Sequence, residues 1–425
     1  MRSLLKRRFH NSVIIKDKLL ILTGITTTNS SEIFYLDLSK PFDSGNLTWT
    51  LIPNGNLPVY TSRSTAVLSL DNSTIYLIGG FMRNKYTLDY DYSNLIYTYD
   101  YPTSTWSTPA LNGDEIPPRQ DIKGVIDNLG IIYIFGGYNA TDLVRNIGPL
   151  FNDMNILNTS SNTWTTLNLE NRPTICDEYA ANILPNGIIV YIGGVEQVND
   201  GANFTLVNMN KIKLFNTYTY QWSQMNATGD EIDPRWFFSS VLTPDGHIII
   251  FGGCTRNFSG VSPNLAVLDT TKKPFEWSIP SNSKINSPPS IRGHTANLYY
   301  DYMIIIFGLD TNTGLFSSQV YLYNIKSNNW VTTFSPPENE PSINTPENEP
   351  SINTPGTNKP LAIYIGIGIA IGIGAAFFVF GIYIAKSKCL HKPKTVVPEP
   401  VNTTSDPPNP FNLAPENYTY NPPPP

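Results

Sequence analysis

"IIYIFGG", residues 131–137, places five apolar, β-favouring residues directly before two glycines. Similar strings run into glycine elsewhere in the chain, at Gly24, Gly79, Gly193, Gly252 and Gly308. Counted from the first glycine of each string, successive copies are 55 to 59 residues apart. A fixed period of this size is typical of repeat architectures, in which each repeat is one supersecondary unit.

Three further sequence markers recur once with each of these glycines. An arginine lies 16 to 21 residues before each of them: Arg8, Arg63, Arg119, Arg172, Arg235 and Arg292. A tryptophan closes each unit: Trp49, Trp106, Trp164, Trp222, Trp277 and Trp330. An Asp or Asn ends the run before each tryptophan: Asp37, Asp100, Asn158, Asn216, Asp269 and Asn324. Each unit therefore predicts four strands: one after the arginine, one into the glycines, one into the Asp/Asn turn and one from the tryptophan.

Six such units with no helical pattern between them predict an all-β, six-bladed β-propeller over residues 8–334. The double glycines, the Tyr-x-Tyr-Asp run at residues 97–100 and the spaced tryptophans resemble the kelch-repeat family. The resemblance implies a kelch-type propeller of four-stranded blades.

The glycines are expected where the second strand leaves the blade sharply, because glycine permits positive φ and a close approach of the neighbouring blade. In the first and last units, Ile25 and Leu309 follow a single glycine and are interpreted as replacements of the second one. The Asp and Asn positions are interpreted as turn formers whose side chains bond the backbone two residues on. They need no catalytic role.

The predicted strand order gathers the arginines, the glycines and the long connections at one end of the propeller, here called the loop face. Loops such as residues 81–94 and 195–208 give this face variable chemistry on a rigid scaffold. We therefore expect a protein or glycan ligand there, with the six arginines as candidate binding residues around the channel mouth. The alternative is structural: Arg119 and Arg235 end the similar segments GDEIPPR and GDEIDPR, which favours local ion pairing and blade spacing.

Composition argues against several other classes of function. A net charge of −6, with 15% charged residues and no basic stripe, disfavours nucleic-acid binding. The three cysteines show no metal-ligand spacing, so neither a metal nor another cofactor is predicted. Cys176 and Cys254 should lie at the same end of the propeller, either as a disulfide or, as the preferred interpretation, as buried free thiols.

The enzymatic alternative is a copper-radical oxidase of the galactose oxidase type, because that enzyme carries a kelch-type propeller. Its chemistry needs two histidines, tyrosines and a cysteine-linked tyrosine. The propeller here offers His10, His247 and His294. His10 and His294 hold equivalent positions in blades that adjoin when the ring closes, where a structural histidine is the usual case. We therefore predict no enzymatic activity.

Residues 361–385 are 25 residues without a charge, against the roughly 20 needed to cross a bilayer. They predict one transmembrane helix, in which Gly368 and Gly372 form a pair suited to helix association. The lysines that follow it predict a cytoplasmic C-terminus and an extracellular or lumenal propeller: Lys386, Lys388, Lys392 and Lys394. Residues 335–360, with a duplicated nonapeptide, predict an extended stalk.

Sequons within the propeller agree with this topology. The candidate glycosylation sites are Asn29, Asn46, Asn72, Asn139, Asn203, Asn226 and Asn257. Asn158 also fits the pattern but occupies a predicted turn position. Residues 8–24 align without a gap to residues 292–308, so the first blade is expected to begin close to Met1. A signal peptide is therefore expected upstream of this sequence.

Residues 386–425 are proline-rich and predict a disordered cytoplasmic tail. Asn409, Pro410 and Phe411 resemble the Asn-Pro-Phe motif that EH domains bind. The terminal prolines favour SH3, WW or profilin-type partners. Cys389 is a palmitoylation candidate.

Taken together, these patterns predict a membrane-anchored kelch propeller that acts as a surface binding module for a protein or glycan, with a tail that recruits adaptors. Besides the oxidase, the alternative is a kelch scaffold that faces the cytosol from an internal membrane.

Overall fold

A computed structural model describes residues 6–27, 30–139, 148–197 and 204–337. Within these residues every regular element is a strand, and six successive sheets each contain four antiparallel strands. The innermost strand of each sheet contacts the innermost strand of the next, and the sixth contacts the first, so the ring is closed. The predicted six-bladed, all-β propeller is confirmed.

The first three repeats contain the following strands. The first has β1 (Arg7–Arg8), β2 (Asn11–Ile15), β3 (Lys18–Leu22), β4 (Ile25–Thr26), β5 (Phe34–Asp37), β6 (Phe42–Asp43) and β7 (Trp49–Leu51). The second has β8 (Tyr60–Ser62), β9 (Thr65–Leu68), β10 (Thr74–Ile78), β11 (Phe81–Arg83), β12 (Ile96–Asp100) and β13 (Thr105–Ser107). The third has β14 (Asn112–Gly113), β15 (Val125–Ile126), β16 (Ile131–Phe135), β17 (Met154–Asn158) and β18 (Thr163–Leu167).

The last three repeats follow the same plan. The fourth has β19 (Ile175–Asp177), β20 (Ala180–Ile183), β21 (Ile188–Ile192), β22 (Val195–Gln197), β23 (Thr205–Leu206), β24 (Lys211–Asn216) and β25 (Gln221–Asn226). The fifth has β26 (Thr228–Gly229), β27 (Ser239–Leu242), β28 (His247–Phe251), β29 (Leu265–Asp269) and β30 (Glu276–Ser278). The sixth has β31 (Ile291–Arg292), β32 (Thr295–Tyr299), β33 (Tyr302–Ile306), β34 (Leu309–Asp310), β35 (Val320–Asn324), β36 (Asn329–Val331) and β37 (Thr333–Phe334).

The hydrophobic core lies between neighbouring blades. The second strand of each blade is an apolar run buried on both faces, as in β16, where Ile132 to Phe135 are all buried. One cluster joins Leu19 of the first blade to Ile304 and Phe307 of the sixth. Because each interface is shared, no blade buries its apolar faces alone.

The Asp and Asn positions form turns, as predicted. Asp37 Oδ1 accepts a hydrogen bond from the N–H of Ser39 at 3.0 Å, and Asn216 Oδ1 accepts one from the N–H of Tyr218 at 2.9 Å. Asn158 Oδ1 likewise accepts the N–H of Ser160 at 3.0 Å.

The second glycine of each repeat links its blade to the next. Its N–H donates to a carbonyl in the lead-in to the following innermost strand, at 2.8 Å for Gly80 to Arg119 and 3.0 Å for Gly194 to Arg235. The N–H groups of Gly24 and Gly308 make the same bond at 2.9 Å, to Thr61 and Arg7 respectively.

The terminal repeats therefore keep the second glycine and lack the first. Thr23 (φ 64°) and Phe307 (φ 59°) adopt the positive φ of the first glycine position, which is 61° at Gly136. The interpretation that Ile25 and Leu309 replace the second glycine was wrong by one residue.

The ring is latched by a short strand pair at its outer edge. β37 lies antiparallel to β6 of the first blade, and the Ser44 N–H donates to the Thr332 carbonyl at 2.7 Å. The ring of Phe334 is fully buried and stacks on Phe42 with centroids 4.7 Å apart. Each blade is otherwise built from contiguous sequence.

Several predictions concern residues outside this description. They are the stalk beyond residue 337, the segment 361–385, the tail with Cys389 and residues 409–411, and the sequon asparagines Asn29 and Asn203. In the part of the chain that is described, no helix is long and apolar enough to span a membrane.

Candidate functional site

Six residues with left-handed backbone conformation surround the channel at the loop face, just before the innermost strands. We call them the hub residues: Phe9, Arg63, Asp121, Glu178, Phe237 and Gly293, with φ between 53° and 64°. Backbone hydrogen bonds connect them around the channel, as from the Arg63 N–H to the Phe9 carbonyl at 3.1 Å and from the Asp121 N–H to the Arg63 carbonyl at 3.0 Å. A non-glycine residue with positive φ is uncommon, so five of them at one structural position mark a backbone geometry that the ring imposes.

The hub side chains form a buried charged cluster. Arg63 Nη1 lies 2.9 Å from Asp121 Oδ2 and 3.2 Å from Glu178 Oε1. Its guanidinium also lies over the rings of Phe9, at 4.4 Å from the centroid, and Phe237, at 5.3 Å. A third ring, that of Phe81, has its centroid 5.8 Å away, so two carboxyl groups and three aromatic rings surround the guanidinium.

Burial controls the titration of this cluster. It raises the pKa of Asp121, and it raises the pKa values of Asp177 and Glu178 well above their ordinary values, against the opposing attraction of Arg63. Although burial lowers the pKa of Arg63, the two carboxylates together raise it. Burial therefore favours the protonated form of these three carboxyl groups, while the Arg63 guanidinium favours their ionised form.

The channel below the hub is narrow. The cavity that Arg63, Asp121, Glu178 and Lys123 help to line measures about 60 Å³, which is room for a few water molecules. The Lys123 side chain is open to water inside this channel, yet the surrounding walls desolvate it and lower its pKa. A cavity of this size is too small for a peptide or a sugar.

The six predicted arginines do not form one structural ring. Arg119 and Arg235 are buried, and each donates through Nη1 to the carbonyl of the first glycine of its own repeat, at 2.9 Å to Gly136 and 3.1 Å to Gly252. In the first repeat Arg7, not Arg8, makes the corresponding bond, to the Thr23 carbonyl at 2.9 Å.

The other four predicted arginines lie at different structural positions. Arg63 is a hub residue, Arg172 is exposed in the connection before the fourth blade, and Arg8 and Arg292 stand beside the channel mouth. Arg119 forms an ion pair with Asp153 of the same repeat at 2.8 Å, rather than with its own GDE segment.

Above the hub, the loop face carries two groups of arginine and aromatic side chains, here called the mouth belt: Arg8 with Phe316, and Arg292 with Phe258 and Trp236. The Arg8 guanidinium lies 5.3 Å from the ring centroids of both Phe9 and Phe316. The Arg292 guanidinium lies 4.4 Å from the centroid of Phe258, which stacks on Trp236 at 5.4 Å. Phe258 and Phe316 are half-buried, whereas Arg292 and Trp236 are buried, at 7% and 4% exposed.

Arg8, Arg292 and Arg63 are among the predicted arginines, but the aromatic residues of the mouth belt and the other five hub residues were not predicted from sequence. A positional signal existed, because each hub residue precedes the second glycine of its repeat by 15 to 17 residues. Residue type gave no signal, since the six positions hold Phe, Arg, Asp, Glu, Phe and Gly.

The repeat geometry matches a known family. The family model described as "KLHDC2/KLHL20/DRC7 Kelch-repeats domain" matches residues 9–210 and 148–348, which together span the propeller. The chain belongs to the kelch-repeat family. Its blades are therefore kelch repeats, and the hub lies where six kelch repeats converge.

Individual relatives match part of the kelch region. Kelch domain-containing protein 3 of Rattus norvegicus is 29% identical over 222 residues, covering 50% of this chain and 54% of the relative. The Homo sapiens protein of that name is 28% identical over 221 residues, with the same coverage. The chain thus spans about half the length of these curated relatives.

A solved structure shows the fold independently. The structure titled "Structure of YjhT" aligns with a TM-score of 0.57 at 13% identity, covering 77% of this chain and 98% of that one. At this identity the likeness concerns the fold alone.

Two of the three histidines of the oxidase alternative, His10 and His294, are buried inside the kelch propeller. His10 Nε2 lies 2.9 Å from the Thr295 hydroxyl and His294 Nε2 lies 2.7 Å from the Ser239 hydroxyl. Burial lowers the pKa of His10 well below its usual value and that of His294 to about 3. Both rings are therefore neutral at physiological pH. His247 lies elsewhere, in β28 with its ring 3.1 Å from Asp245 in the preceding turn.

The two cysteines of the kelch propeller are buried free thiols, which confirms the preferred interpretation. Burial raises the pKa of Cys176 to about 11 and that of Cys254 to about 12. Across the described residues, no group of three or more His, Cys, Asp or Glu side chains is arranged to hold a metal ion.

Proposed function

We propose that this kelch propeller is a protein-binding module whose partner contacts the loop face at the mouth belt. The observation that carries the proposal is the set of half-buried Phe258 and Phe316 rings, each paired with an arginine above a rigid hub. Aromatic and arginine side chains dominate the energetic centres of protein interfaces. Loops held by a rigid scaffold are the usual place for them.

Membership of the kelch family supports a binding function rather than an enzymatic one. The loop face also presents Tyr86, 94% exposed, and Leu315, 64% exposed, on the loops of the second and sixth blades. These side chains extend the apolar surface outward from the mouth belt. A flat surface of this kind suits a folded partner, whereas the cavity in the hub is too small for one.

A site-specific photo-crosslinker tests this proposal in cells that express the full-length chain. Placed at Phe258, it should give discrete adducts with a partner protein, while at Tyr300, in a turn on the opposite face, it should give none of them. The Phe316→Ala substitution should reduce the adduct at least about tenfold, as loss of an interface anchor does, with unchanged thermal unfolding. Equal labelling from both faces, or adducts that contain glycan alone, would refute a protein site at the mouth belt.

We further propose that residues 361–385 anchor the protein in a membrane with the propeller on the extracellular or lumenal side. Four of the sequon asparagines in the described residues are exposed, as glycosylation requires: Asn46, Asn72, Asn226 and Asn257. Asn139 is half-buried, and Asn158 is engaged in its turn. The tail would then face the cytosol, where EH, SH3, WW or profilin-type partners work.

Expression from the native transcript should therefore yield a glycoprotein. N-glycosidase treatment should increase its electrophoretic mobility, and substituting Gln for the four exposed asparagines should remove most of that shift. Protease added to intact cells should digest the propeller. A propeller without glycan and protected from protease would instead support a kelch scaffold that faces the cytosol.

A further inference from the structure

Two blades carry a fifth strand, supplied by the connection from the preceding blade. β14 lies parallel to β18 at the outer edge of the third blade, and β26 lies parallel to β30 at the outer edge of the fifth. Both short strands begin the same motif, NGDEI at residues 112–116 and TGDEI at residues 228–232. The motif thus acts as an outer clamp on the strand that contains the blade's tryptophan.

The aspartate of the motif makes two bonds to that strand. In the third blade the Asp114 N–H donates to the Trp164 carbonyl at 3.1 Å, and Asp114 Oδ2 accepts from the Thr166 N–H at 2.7 Å. In the fifth blade Asp230 repeats both bonds with β30 and the residue after it, at 3.0 Å and 2.8 Å. The carboxylate therefore takes the place of a backbone acceptor on an otherwise open strand edge.

The glycine of the motif is required by close contact. A Cβ atom at Gly113 would lie 2.1 Å from the Trp164 carbonyl oxygen, and one at Gly229 would lie 2.0 Å from that of Trp277. The residue two positions after the aspartate is buried in both copies: Ile116 and Ile232. The clamp thus has the recognisable form x-Gly-Asp-x-Ile.

The first, second, fourth and sixth blades have no such fifth strand among the described residues, and the fourth has a groove beside its outer strand. In β25 Trp222 pairs with Phe215, which is the same register as Trp164 with Leu157 in the third blade. In the described part of the chain, however, β25 pairs with β24 alone. The preceding connection, residues 168–174, contains no glycine. A groove of about 470 Å³ lies between residues 167–171 and 219–222.

We propose that the outer edge of β25 is a docking site for an extended x-Gly-Asp-x-Ile segment of a partner protein. The segment lies parallel to β25, donates its Asp N–H to the Trp222 carbonyl and accepts the Gln224 N–H with its carboxylate. Adding a strand to an open sheet edge is an established mode of peptide recognition. Both Gly-Asp pairs of the chain are already used in the clamps of the third and fifth blades, so the proposed segment belongs to a partner.

This site is independent of the mouth belt. It lies at the outer edge of one blade, and the two surfaces can be tested separately. The chemistry that selects the peptide is also specific. Glycine is needed for the close approach and positive φ, 86° at Gly113 and 92° at Gly229, and the carboxylate is needed as acceptor.

The test uses the purified full-length chain and a labelled peptide that copies residues 111–117. We expect saturable binding by fluorescence anisotropy at millimolar concentration or below. Replacing the peptide glycine with alanine should weaken binding at least tenfold, and replacing its aspartate with asparagine should weaken it severalfold. Gln224→Pro, which removes the outward N–H of an exposed edge residue, should abolish binding while the thermal unfolding midpoint stays unchanged.

Hydrogen exchange gives a second measurement that needs no variant. Without peptide, the Gln224 amide should exchange faster than those of Thr166 and Ile279, which are already bonded to the internal clamps. The peptide should slow exchange at Gln224, and the alanine peptide should not. Exchange unaffected by the peptide, protection confined to the loop-face segment 254–261, or equal binding of the alanine peptide would overturn the proposal.

Discussion

The Arg63→Met variant is expected to lose about 4 kcal/mol of unfolding free energy, the cost typical of removing one partner from a buried ion pair. Arg63 is 8% exposed at its side chain and faces Asp121 and Glu178, which are 6% and 2% exposed. Methionine retains most of the side-chain volume and removes the charge, so the loss reports electrostatics rather than a cavity. Urea unfolding followed by tryptophan fluorescence measures it.

The loss at Arg63 should grow with pH. The carboxyl groups bind protons more tightly in the folded chain than in the unfolded chain, because burial raises the pKa values of Asp121, Asp177 and Glu178. Their contribution is therefore complete below about pH 4 and is lost as the pH rises through their folded values. Removing the guanidinium raises those values further, so Arg63→Met should be more harmful at pH 8 than at pH 5.

Two control variants distinguish this electrostatic explanation from a nonspecific loss of stability. Arg83→Met removes an exposed arginine that donates to the Tyr90 hydroxyl at 3.0 Å, and should cost less than about 0.5 kcal/mol. Adding Glu178→Gln to Arg63→Met should restore part of the stability and flatten its pH dependence. A loss independent of pH, with no recovery in the double variant, would contradict a charge-balanced hub.

Gly194→Ala is expected to cost about 3 kcal/mol, at the upper end of ordinary substitutions. A Cβ atom there would lie 2.3 Å from the Asp177 carbonyl oxygen and 2.8 Å from the Tyr179 nitrogen, both of them backbone atoms that cannot rotate away. The same residue donates its N–H to Arg235 of the next blade at 3.0 Å, so relief of the clash disturbs an inter-blade bond.

Gly314→Ala is the matched control. Gly314 also has positive φ, 69°, but no atom lies within 4 Å of a Cβ placed there. The Gly314→Ala variant should therefore lose only about 1–2 kcal/mol of unfolding free energy, which is the left-handed strain that both variants share. Equal shifts of the two urea midpoints would show that contact with the neighbouring blade does not explain the repeated glycine.

The blades were predictable because the strand and turn signals recur once in every repeat, at the same positions within it. An apolar run ending in Gly136 and Gly137, followed by a turn-forming Asn158 and then Trp164, specifies three strands by local chemistry alone. Six copies in phase made the propeller evident before any contact was known. The interpretation of the terminal repeats was wrong by one residue because Thr23 and Phe307 adopt the positive φ of the first glycine position without being glycine.

The site was not predictable in the same way. The six arginines were chosen because they are arginines, and they occupy several different structural positions. A shift of one residue along a strand turns a side chain to the other face of the sheet. Arg119 faces the interior of its repeat, while Arg63 faces the channel. The hub is set by a backbone position that accepts Phe as readily as Asp, so residue identity could not reveal it.

The latch between β37 and β6 also determines how the propeller responds to mechanical tension. A force applied at residue 337 is borne first by a two-residue pair and the stacked rings of Phe334 and Phe42. When these separate, the load passes to β36, the outermost strand of the sixth blade, and only afterwards to the inner strands. Pulling from this end therefore peels the ring from its rim inward, and the hub yields last.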